Sequence, residues 1–223
     1  MSRKALGGLL LQASLALAVL FLGWGLDNWR GFFAHPARAG LMGMWVANLA
    51  IILGWRLDLE PFRKGKQAVG RQRYLLAVVM LIGLGLVWFL PYADRRSVLT
   101  FDGAEGLRYL GLLLYVGGNA LAFVALHALG KQYSGYVTLQ EGHELVQTGI
   151  YGLIRHPIYL RALMVAVGLP LLFRSWLILP LVALGVLFVA ARIRQEEKLL
   201  AEHFGGEFEV YRRRTWRLLP YVY

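Results

Sequence analysis

Stretches of almost uninterrupted apolar residues recur along the chain and are separated by short segments that carry basic residues. Four of these stretches cover residues 5–26, 37–57, 74–92 and about 107–129. A helix needs about 20 apolar residues to cross the hydrocarbon core of a bilayer, so each stretch predicts a transmembrane helix. The first ends near Trp24 and Trp29, which are typical interfacial anchors. We therefore expect this helix to be retained rather than cleaved as a signal peptide.

The fifth apolar region, residues 158–191, is too long for a single span. As one helix it would measure about 50 Å, against a hydrocarbon core of about 30 Å. It would also place Arg174 near the membrane centre, which costs about 3 kcal/mol on insertion scales. A helical hairpin that turns at residues 173–175 removes both problems. The pattern therefore predicts an all-α integral membrane protein with about six transmembrane helices, the last two forming a helical hairpin.

Composition supports a membrane protein and excludes several other classes. Hydrophobic residues make up 58% of the 223 residues and charged residues 17%, whereas soluble domains have about 45–50% and about 25%. The absence of cysteine excludes disulfides, thiolate metal sites and cysteine nucleophiles. The formal net charge is +11. With the N-terminus in the cytoplasm, 18 Lys and Arg residues lie inside and 6 outside. This asymmetry agrees with the positive-inside rule and predicts that both termini are cytoplasmic.

Two segments, residues 130–156 and 192–223, are predicted to lie on the cytoplasmic side. The hairpin brings the end of the first segment, at His156, to the same membrane face as Arg192 and Glu196, at the start of the second. Pro157 suits the first turn of a helix, so His156 would stand at a helix N-terminus, which favours an anion. Arg192 and Glu196 are four residues apart and share a helix face. Two interpretations of these residues remain open. They form either a functional site or a purely structural arrangement of a helix cap, an interfacial anchor and a surface ion pair.

The order and spacing of several short motifs in the second half of the chain resemble the isoprenylcysteine carboxyl methyltransferase family. Relatives of this family include phospholipid N-methyltransferases and membrane thiol methyltransferases. The resemblance covers roughly residues 107–220, and the first half of the chain matches nothing specific. The motifs are His143-Glu144-Leu145-Val146, Gly149-Ile150-Tyr151, Arg155-His156-Pro157-Ile158-Tyr159, Arg192 with Glu196-Glu197, and the tail from His203 to Tyr211.

The resemblance implies a membrane-embedded methyltransferase that uses S-adenosyl-L-methionine and has a cytoplasmic cofactor site. Residues 1–106 would form three N-terminal helices, and residues 107–223 would form the methyltransferase core. Arg192 matches a position that contacts the substrate, so it would orient the acceptor. The residues that would surround the cofactor are His143, Glu144, Leu145, Val146, Tyr151, His156, Pro157, Ile158, Tyr159 and Glu196.

Methyl transfer to a carboxylate or a thiolate needs no general base, so proximity and orientation would supply most of the catalysis. An amine or a neutral thiol would have to lose a proton, and His143 or Glu197 would be the first candidates to accept it. The sequence departs from the family pattern at Arg161, where a small residue is usual, and at Tyr136, where some prenyl-specific members have Gln. Both departures bear on the choice of acceptor.

The expected partners are a lipophilic methyl acceptor that enters from the membrane and the membrane lipids themselves. A phospholipid N-methyltransferase, a small-thiol S-methyltransferase and a non-catalytic scaffold or transporter-associated protein remain alternatives. No nucleic acid is expected, since residues 212–214 are flanked by Tyr211 and Trp216 and suit lipid headgroups. No metal is expected, since five scattered His without Cys have no ligand spacing. The excess of Arg over Lys suggests a GC-rich bacterial genome, and hence a prokaryotic inner membrane.

Overall fold

A computed structural model describes residues 14, 17–18, 20–55, 70–103, 105–130, 133, 136–137 and 144–222. This part of the chain is almost entirely helical, which confirms the predicted all-α class, and residues 20–24 are among its helical residues. Two short 3₁₀ helices cover Leu26–Asn28 and Gly149–Gly152. The helices are α1 (Trp29–Phe33), α2 (Pro36–Trp55), α3 (Gly70–Arg96), α4 (Glu105–Leu129), α5 (Pro157–Leu172), α6 (Ile178–Phe204) and α7 (Gly206–Arg214).

Three of the described helices are long and apolar enough to cross a membrane. They are α3 from Gln72 to Arg96, α4 and α6, whereas α5 is apolar but shorter. The first predicted span, residues 5–26, falls largely outside the described residues. The number of six spans therefore stays a prediction.

The predicted break in the fifth apolar region is confirmed. Helix α5 ends at Leu172 and helix α6 begins at Ile178, and Arg174 in the connecting turn has a left-handed backbone with φ of 52°. Val189 and Ile193 of α6 pack against Leu160 and Leu163 of α5. The two helices therefore lie side by side as a hairpin.

The chain divides into two compact units that share several helices. The first unit contains the described residues within 1–57, 74–116 and 165–182, and the second contains those within 58–73, 117–164 and 183–223. This division cuts across α3, α4, α5 and α6, and the domain boundary expected at residue 106 stays a prediction.

In the first unit, α4 and α5 come into backbone contact at two glycines. A Cβ atom on Gly111 would lie 2.5 Å from the carbonyl oxygen of Gly168, and one on Gly168 would lie 2.8 Å from that of Gly111. Any larger residue would force the helices apart, since small residues are what allow membrane helices to approach this closely. The apolar core of this unit includes Phe32, Leu90 and Leu172, all of which are fully buried.

A buried acidic residue, Asp94, joins four segments of the first unit. Its carboxylate accepts hydrogen bonds from Arg38 at 2.9 Å, from Arg108 at 2.8 and 2.9 Å, and from Arg174 at 3.2 and 3.3 Å. Arg38 also donates to the carbonyl groups of residues 31 and 32, and Arg108 to that of residue 172. We call these four side chains the Asp94 cluster. The apolar pattern predicts that the third span ends near Tyr92, but α3 continues through Pro91 to Arg96 and so reaches this cluster.

The second unit is held together around the C-terminal tail. Ile154, just before α5, forms a β-bridge with Trp216, and the backbone N–H of Trp216 donates a hydrogen bond to the Leu153 carbonyl at 3.0 Å. Leu218 packs with Val189 and Ile193 of α6. The tail thus lies alongside the start of α5, where most of the predicted site residues are found.

Candidate functional site

The residues before α5 form a short, tightly connected entry to that helix. The 3₁₀ helix Gly149–Gly152 carries Tyr151, which is buried, and Gly149 has φ of 60°, a conformation that glycine adopts without strain. The carbonyl of Tyr151 accepts a hydrogen bond from the Tyr211 hydroxyl at 2.8 Å. Pro157 then opens α5, where the missing N–H of proline costs nothing.

Glu197, on α6, is the centre of a buried ionic network. Its carboxylate accepts from Arg155 at 3.0 Å and from Arg217 at 2.9 Å, and it lies 3.3 Å from Nε2 of His156. Glu197, Arg155 and His156 are all buried. A carboxylate held by two guanidinium groups stays ionised, and its lone pairs are already used.

The tail supplies backbone partners for the same residues. The N–H groups of Arg155 and His156 donate to the carbonyls of Trp216 and Arg217, at 2.8 and 3.0 Å. The Arg155 guanidinium also donates to the carbonyls of residues 212 and 215 and, at 3.1 Å, to the Thr215 hydroxyl. Pro157 has no N–H, and the N–H groups of Tyr159 and Leu160 donate to the His156 carbonyl at 3.1 Å. An anion at the start of α5 would therefore be met by the His156 ring and the N–H of Ile158.

A second group of side chains surrounds Glu196, one residue before Glu197. The Tyr159 hydroxyl lies within hydrogen-bonding reach of both Glu196 and Arg192. The His156 ring lies 5.7 Å from the Tyr159 ring, and its Nδ1 is 3.9 Å from the Glu196 carboxylate. Glu196 is only partly buried, so its carboxylate can accept further hydrogen bonds from a ligand.

Two tyrosines, the buried Tyr151 and the half-buried Tyr133, lie close enough to this group to feel its charges. Burial raises the pKa of Tyr151, and the negative charge of Glu196 raises it further. Burial also raises the pKa of Tyr133, although the positive charges of Arg161 and Arg192 act against that rise. Both phenols therefore stay protonated at neutral pH and present neutral aromatic faces and hydroxyl donors.

Arg192 is buried and tied to the start of α3. Its Nη1 donates to Oε1 of Gln72 at 3.0 Å. The same Gln72 oxygen accepts the N–H of Val137 at 2.9 Å, and the Gln72 amide nitrogen donates to the Val137 carbonyl at 3.2 Å. Arg192 thus has hydrogen-bonding partners on α3 and α5.

The structure brings together most of the residues that the sequence singles out and leaves a few apart. Glu144 is exposed, Leu145 and Val146 are half-buried, and His143 lies outside the described residues. Those that come together around Glu196 and Glu197 are Tyr151, His156, Tyr159 and Arg192, with Pro157 and Ile158 on the same turn of α5.

Other residues of the cluster are not among the predicted site residues. Tyr211 and Arg155 stand inside the quoted motifs, so their position could have suggested a role. Gln72 and Arg217 stand outside the motifs, and only the folded chain shows their contacts. Among the described residues, no three acidic or histidine side chains are grouped as a metal site would require. The arrangement suits an organic ligand with hydroxyl and charged groups.

Comparisons with known proteins agree with the motif resemblance. Residues 110–202 match the family model described as the isoprenylcysteine carboxyl methyltransferase family. A protein-S-isoprenylcysteine O-methyltransferase of Saccharomyces cerevisiae is 36% identical over 117 residues, which are 51% of this chain and 48% of that protein. A nickel-cobalt-cadmium resistance protein of Alcaligenes xylosoxydans xylosoxydans is 37% identical over 99 residues, which are 44% of this chain and 46% of that protein. The chain spans about half the length of the curated relatives it matches.

A solved structure shares the fold. The structure of a eukaryotic intramembrane Ras methyltransferase of the isoprenylcysteine carboxyl type superposes with a TM-score of 0.56 and 21% identity, covering 92% of this chain and 73% of the other. Together with the apolar helices, this likeness identifies the chain as an integral membrane protein of the same architecture.

Proposed function

We propose, from the match of residues 110–202 to the isoprenylcysteine carboxyl methyltransferase family, that this protein is a membrane-embedded methyltransferase. It would use S-adenosyl-L-methionine and methylate a lipophilic acceptor. The observation that carries the proposal is the group around Glu196, in which Nδ1 of His156 lies 3.9 Å from the carboxylate and the Tyr159 hydroxyl is within reach of both Glu196 and Arg192. This group combines a carboxylate, a guanidinium and aromatic rings within the matched segment.

The residues around Glu196 fit the cofactor. The partly buried carboxylate of Glu196 can accept hydrogen bonds from both ribose hydroxyls. The aromatic faces of Tyr151 and Tyr159 can lie against a sulfonium in a cation–π contact. His156 and the first turn of α5 can receive a carboxylate. We expect Glu144, Leu145 and Val146, together with His143, to complete the site as the family pattern implies.

Arg192 would orient the acceptor. When bound, S-adenosyl-L-methionine supplies an electrophilic methyl group. Paired N–H groups of a guanidinium can hold a carboxylate so that one oxygen points along the line of attack. That oxygen would take the methyl group, the cofactor sulfur would keep the electron pair of the broken bond, and no proton would have to move. A carboxylate acceptor is therefore the simplest match to a buried guanidinium.

Glu197 would act as a positioning residue in this reaction. Its carboxylate already accepts hydrogen bonds from Arg155 and Arg217, which makes it a poor base for an amine or thiol acceptor. Holding both the helix start and the tail, it would fix His156 instead. Acceptors that must lose a proton, such as a phospholipid amine or a thiol, are for this reason second to a carboxylate.

We infer that the protein lies in a prokaryotic inner membrane with both termini in the cytoplasm. All six arginines that the topology places outside lie in the first unit, and the described Lys and Arg residues placed inside lie in the second. Single cysteines introduced at positions 150 and 200 should react with a membrane-impermeant thiol reagent from the same side. Reaction from opposite sides would contradict the topology.

Cofactor binding tests the function directly. S-adenosyl-L-methionine should bind the detergent-purified protein and raise its melting temperature, because a ligand at 100 times its Kd stabilises a fold by about 2.7 kcal/mol. Glu196→Ala should abolish this shift. Glu202→Ala is a matched control, since Glu202 lies on the same helix, is exposed, and pairs only weakly, at 3.8 Å, with Lys198. Folded wild-type protein that binds no cofactor would contradict the proposal.

A panel of three acceptors then separates the candidate reactions. S-farnesyl-N-acetylcysteine offers a carboxylate, phosphatidylethanolamine an amine, and dodecanethiol a thiol. We expect methyl transfer from radiolabelled cofactor to the carboxylate. Transfer only to the amine or the thiol would keep the methyltransferase and overturn the choice of acceptor.

A further inference from the structure

Gln72 has an amide whose orientation is fixed by three hydrogen bonds. Oε1 accepts from Arg192 at 3.0 Å and from the Val137 N–H at 2.9 Å, while Nε2 donates to the Val137 carbonyl at 3.2 Å. Turning the amide over would place its NH₂ group against two donors, so only this orientation satisfies all the partners. Both lone pairs of the oxygen are in use.

The position of Gln72 in the chain makes this contact informative. Gln72 lies in the first turn of α3, before the segment 110–202 that matches the family. Val137 lies in the connection between α4 and α5 and is buried, and Arg192 lies on α6. One side chain from outside the matched segment therefore holds two parts of it, and all three residues belong to the second unit.

A hydrogen bond at one end of a guanidinium fixes the orientation of the whole group. Its donors form a rigid planar fork, so a hydrogen bond at one nitrogen restricts the direction in which the other N–H groups point. Tyr159 offers Arg192 a partner on α5. Gln72 adds a partner on α3, and the two together restrict rotation of the guanidinium plane.

We propose that Gln72 is a positioning residue for methyl transfer, which aligns the Arg192 guanidinium toward the acceptor and couples that alignment to the Val137 connection. This inference rests on the proposed function. Gln72 acts on the reaction through its hydrogen bond to Arg192. Helix α3 lies in the half of the chain that has no specific resemblance, and through Gln72 it contributes to the reaction.

The test measures methyl transfer to the panel acceptor that the wild type methylates, and cofactor affinity by calorimetry. Gln72→Leu should lower kcat about 10- to 100-fold, because a displacement of about 1 Å at a reacting group can cost about 100-fold. KM for the acceptor should change less than threefold and the cofactor Kd less than twofold. Gln72→Glu keeps the oxygen that accepts from Arg192 and from the Val137 N–H, although its second oxygen cannot donate to the Val137 carbonyl. It should be at least tenfold more active than Gln72→Leu. Gln195→Leu, an exposed glutamine on α6, is the matched control and should leave both quantities unchanged.

A double-mutant cycle separates positioning from a structural role. The Lys ammonium rotates freely and is a point charge, so in an Arg192→Lys background there is no fork to align. Gln72→Leu should then cost less than a further twofold in kcat. Equal losses in both backgrounds, or a cofactor Kd raised more than fivefold by Gln72→Leu, would overturn this inference and leave the methyltransferase proposal intact. A wild type that neither binds cofactor nor transfers methyl would overturn both.

Discussion

Replacing Asp94 by Asn should destabilise the protein strongly while leaving its shape almost unchanged. The carboxylate has no exposed surface and balances Arg38, Arg108 and Arg174, two of which are themselves buried. An amide of the same size keeps one acceptor oxygen but loses the negative charge. Three guanidinium groups would then face one another, and the only carboxylate near them among the described residues would be the exposed one of Glu105, 3.2 Å from Arg108 and 3.9 Å from Arg174.

The magnitude follows from this geometry. Breaking a buried ion pair by removing one partner costs about 3–5 kcal/mol, because the remaining charge is desolvated without compensation. In a chain of this length, 1 kcal/mol corresponds to a change in Tm of about 2–4 °C, so the expected fall is about 6–20 °C. The assay is a thermal melt of detergent-purified protein, followed by tryptophan fluorescence.

Two further variants make the result decisive. Asp27→Asn removes a carboxylate that pairs with Arg95 but is largely exposed, so it should leave Tm unchanged. Asp94→Asn combined with Arg174→Gln removes one unbalanced cation and should melt above Asp94→Asn alone. If Asp94→Asn melts within 2 °C of the wild type, the cluster does not stabilise the first unit and this reasoning is wrong.

Three other predictions concern the second unit. Glu197→Gln should lower Tm and weaken cofactor binding, since it removes the charge that holds Arg155 and Arg217. An unchanged Tm, with activity lost only on amine acceptors, would instead favour Glu197 as a general base. Burial raises the pKa of Tyr211 to about 12, so between pH 10 and 12 the unfolded chain loses this proton first and stability falls, by up to about 1.4 kcal/mol per pH unit. Tyr211→Phe should melt lower than the wild type at pH 8, for want of one hydrogen bond, and the difference should shrink as pH rises from 8 to 11. Arg161→Gly should raise activity on bulky relative to small acceptors about tenfold, or about 1.4 kcal/mol, with the cofactor Kd unchanged; an unchanged ratio would show that Arg161 does not shape acceptor choice.

The helical class and the hairpin could be read from the sequence because they depend on local patterns. A charged residue in the middle of an overlong apolar region has few physical solutions, and the turn around Arg174 is the one found. The end of α3 could not be placed in the same way. Pro91 and the loss of apolar residues after Tyr92 suggest a stop, but pairing of Asp94 with arginines far away in the chain stabilises another turn of helix.

The site was predictable to the extent that its residues lie close together in sequence. Tyr151, His156 and Tyr159 come from one short segment, and Glu196 shares a helix face with Arg192. The contact between Gln72 and Arg192 spans 120 positions, and no spacing rule relates residues that far apart. Assigning Glu197 to one role or another likewise needs its ionic partners, which the sequence does not reveal.

The tail contacts described above also set an order of events during synthesis. The backbone N–H groups of Arg155 and His156 and the carboxylate of Glu197 are all completed by residues 216–217. Nascent chains released or stalled before this point would therefore carry every helix of the hairpin and still lack an assembled pocket. Such products would be inserted in the membrane without the contacts that hold the candidate site together. For the experimenter, a reporter fused after residue 222 would follow closely on residues 216–217, which complete these contacts, and an internal or N-terminal tag is the safer choice.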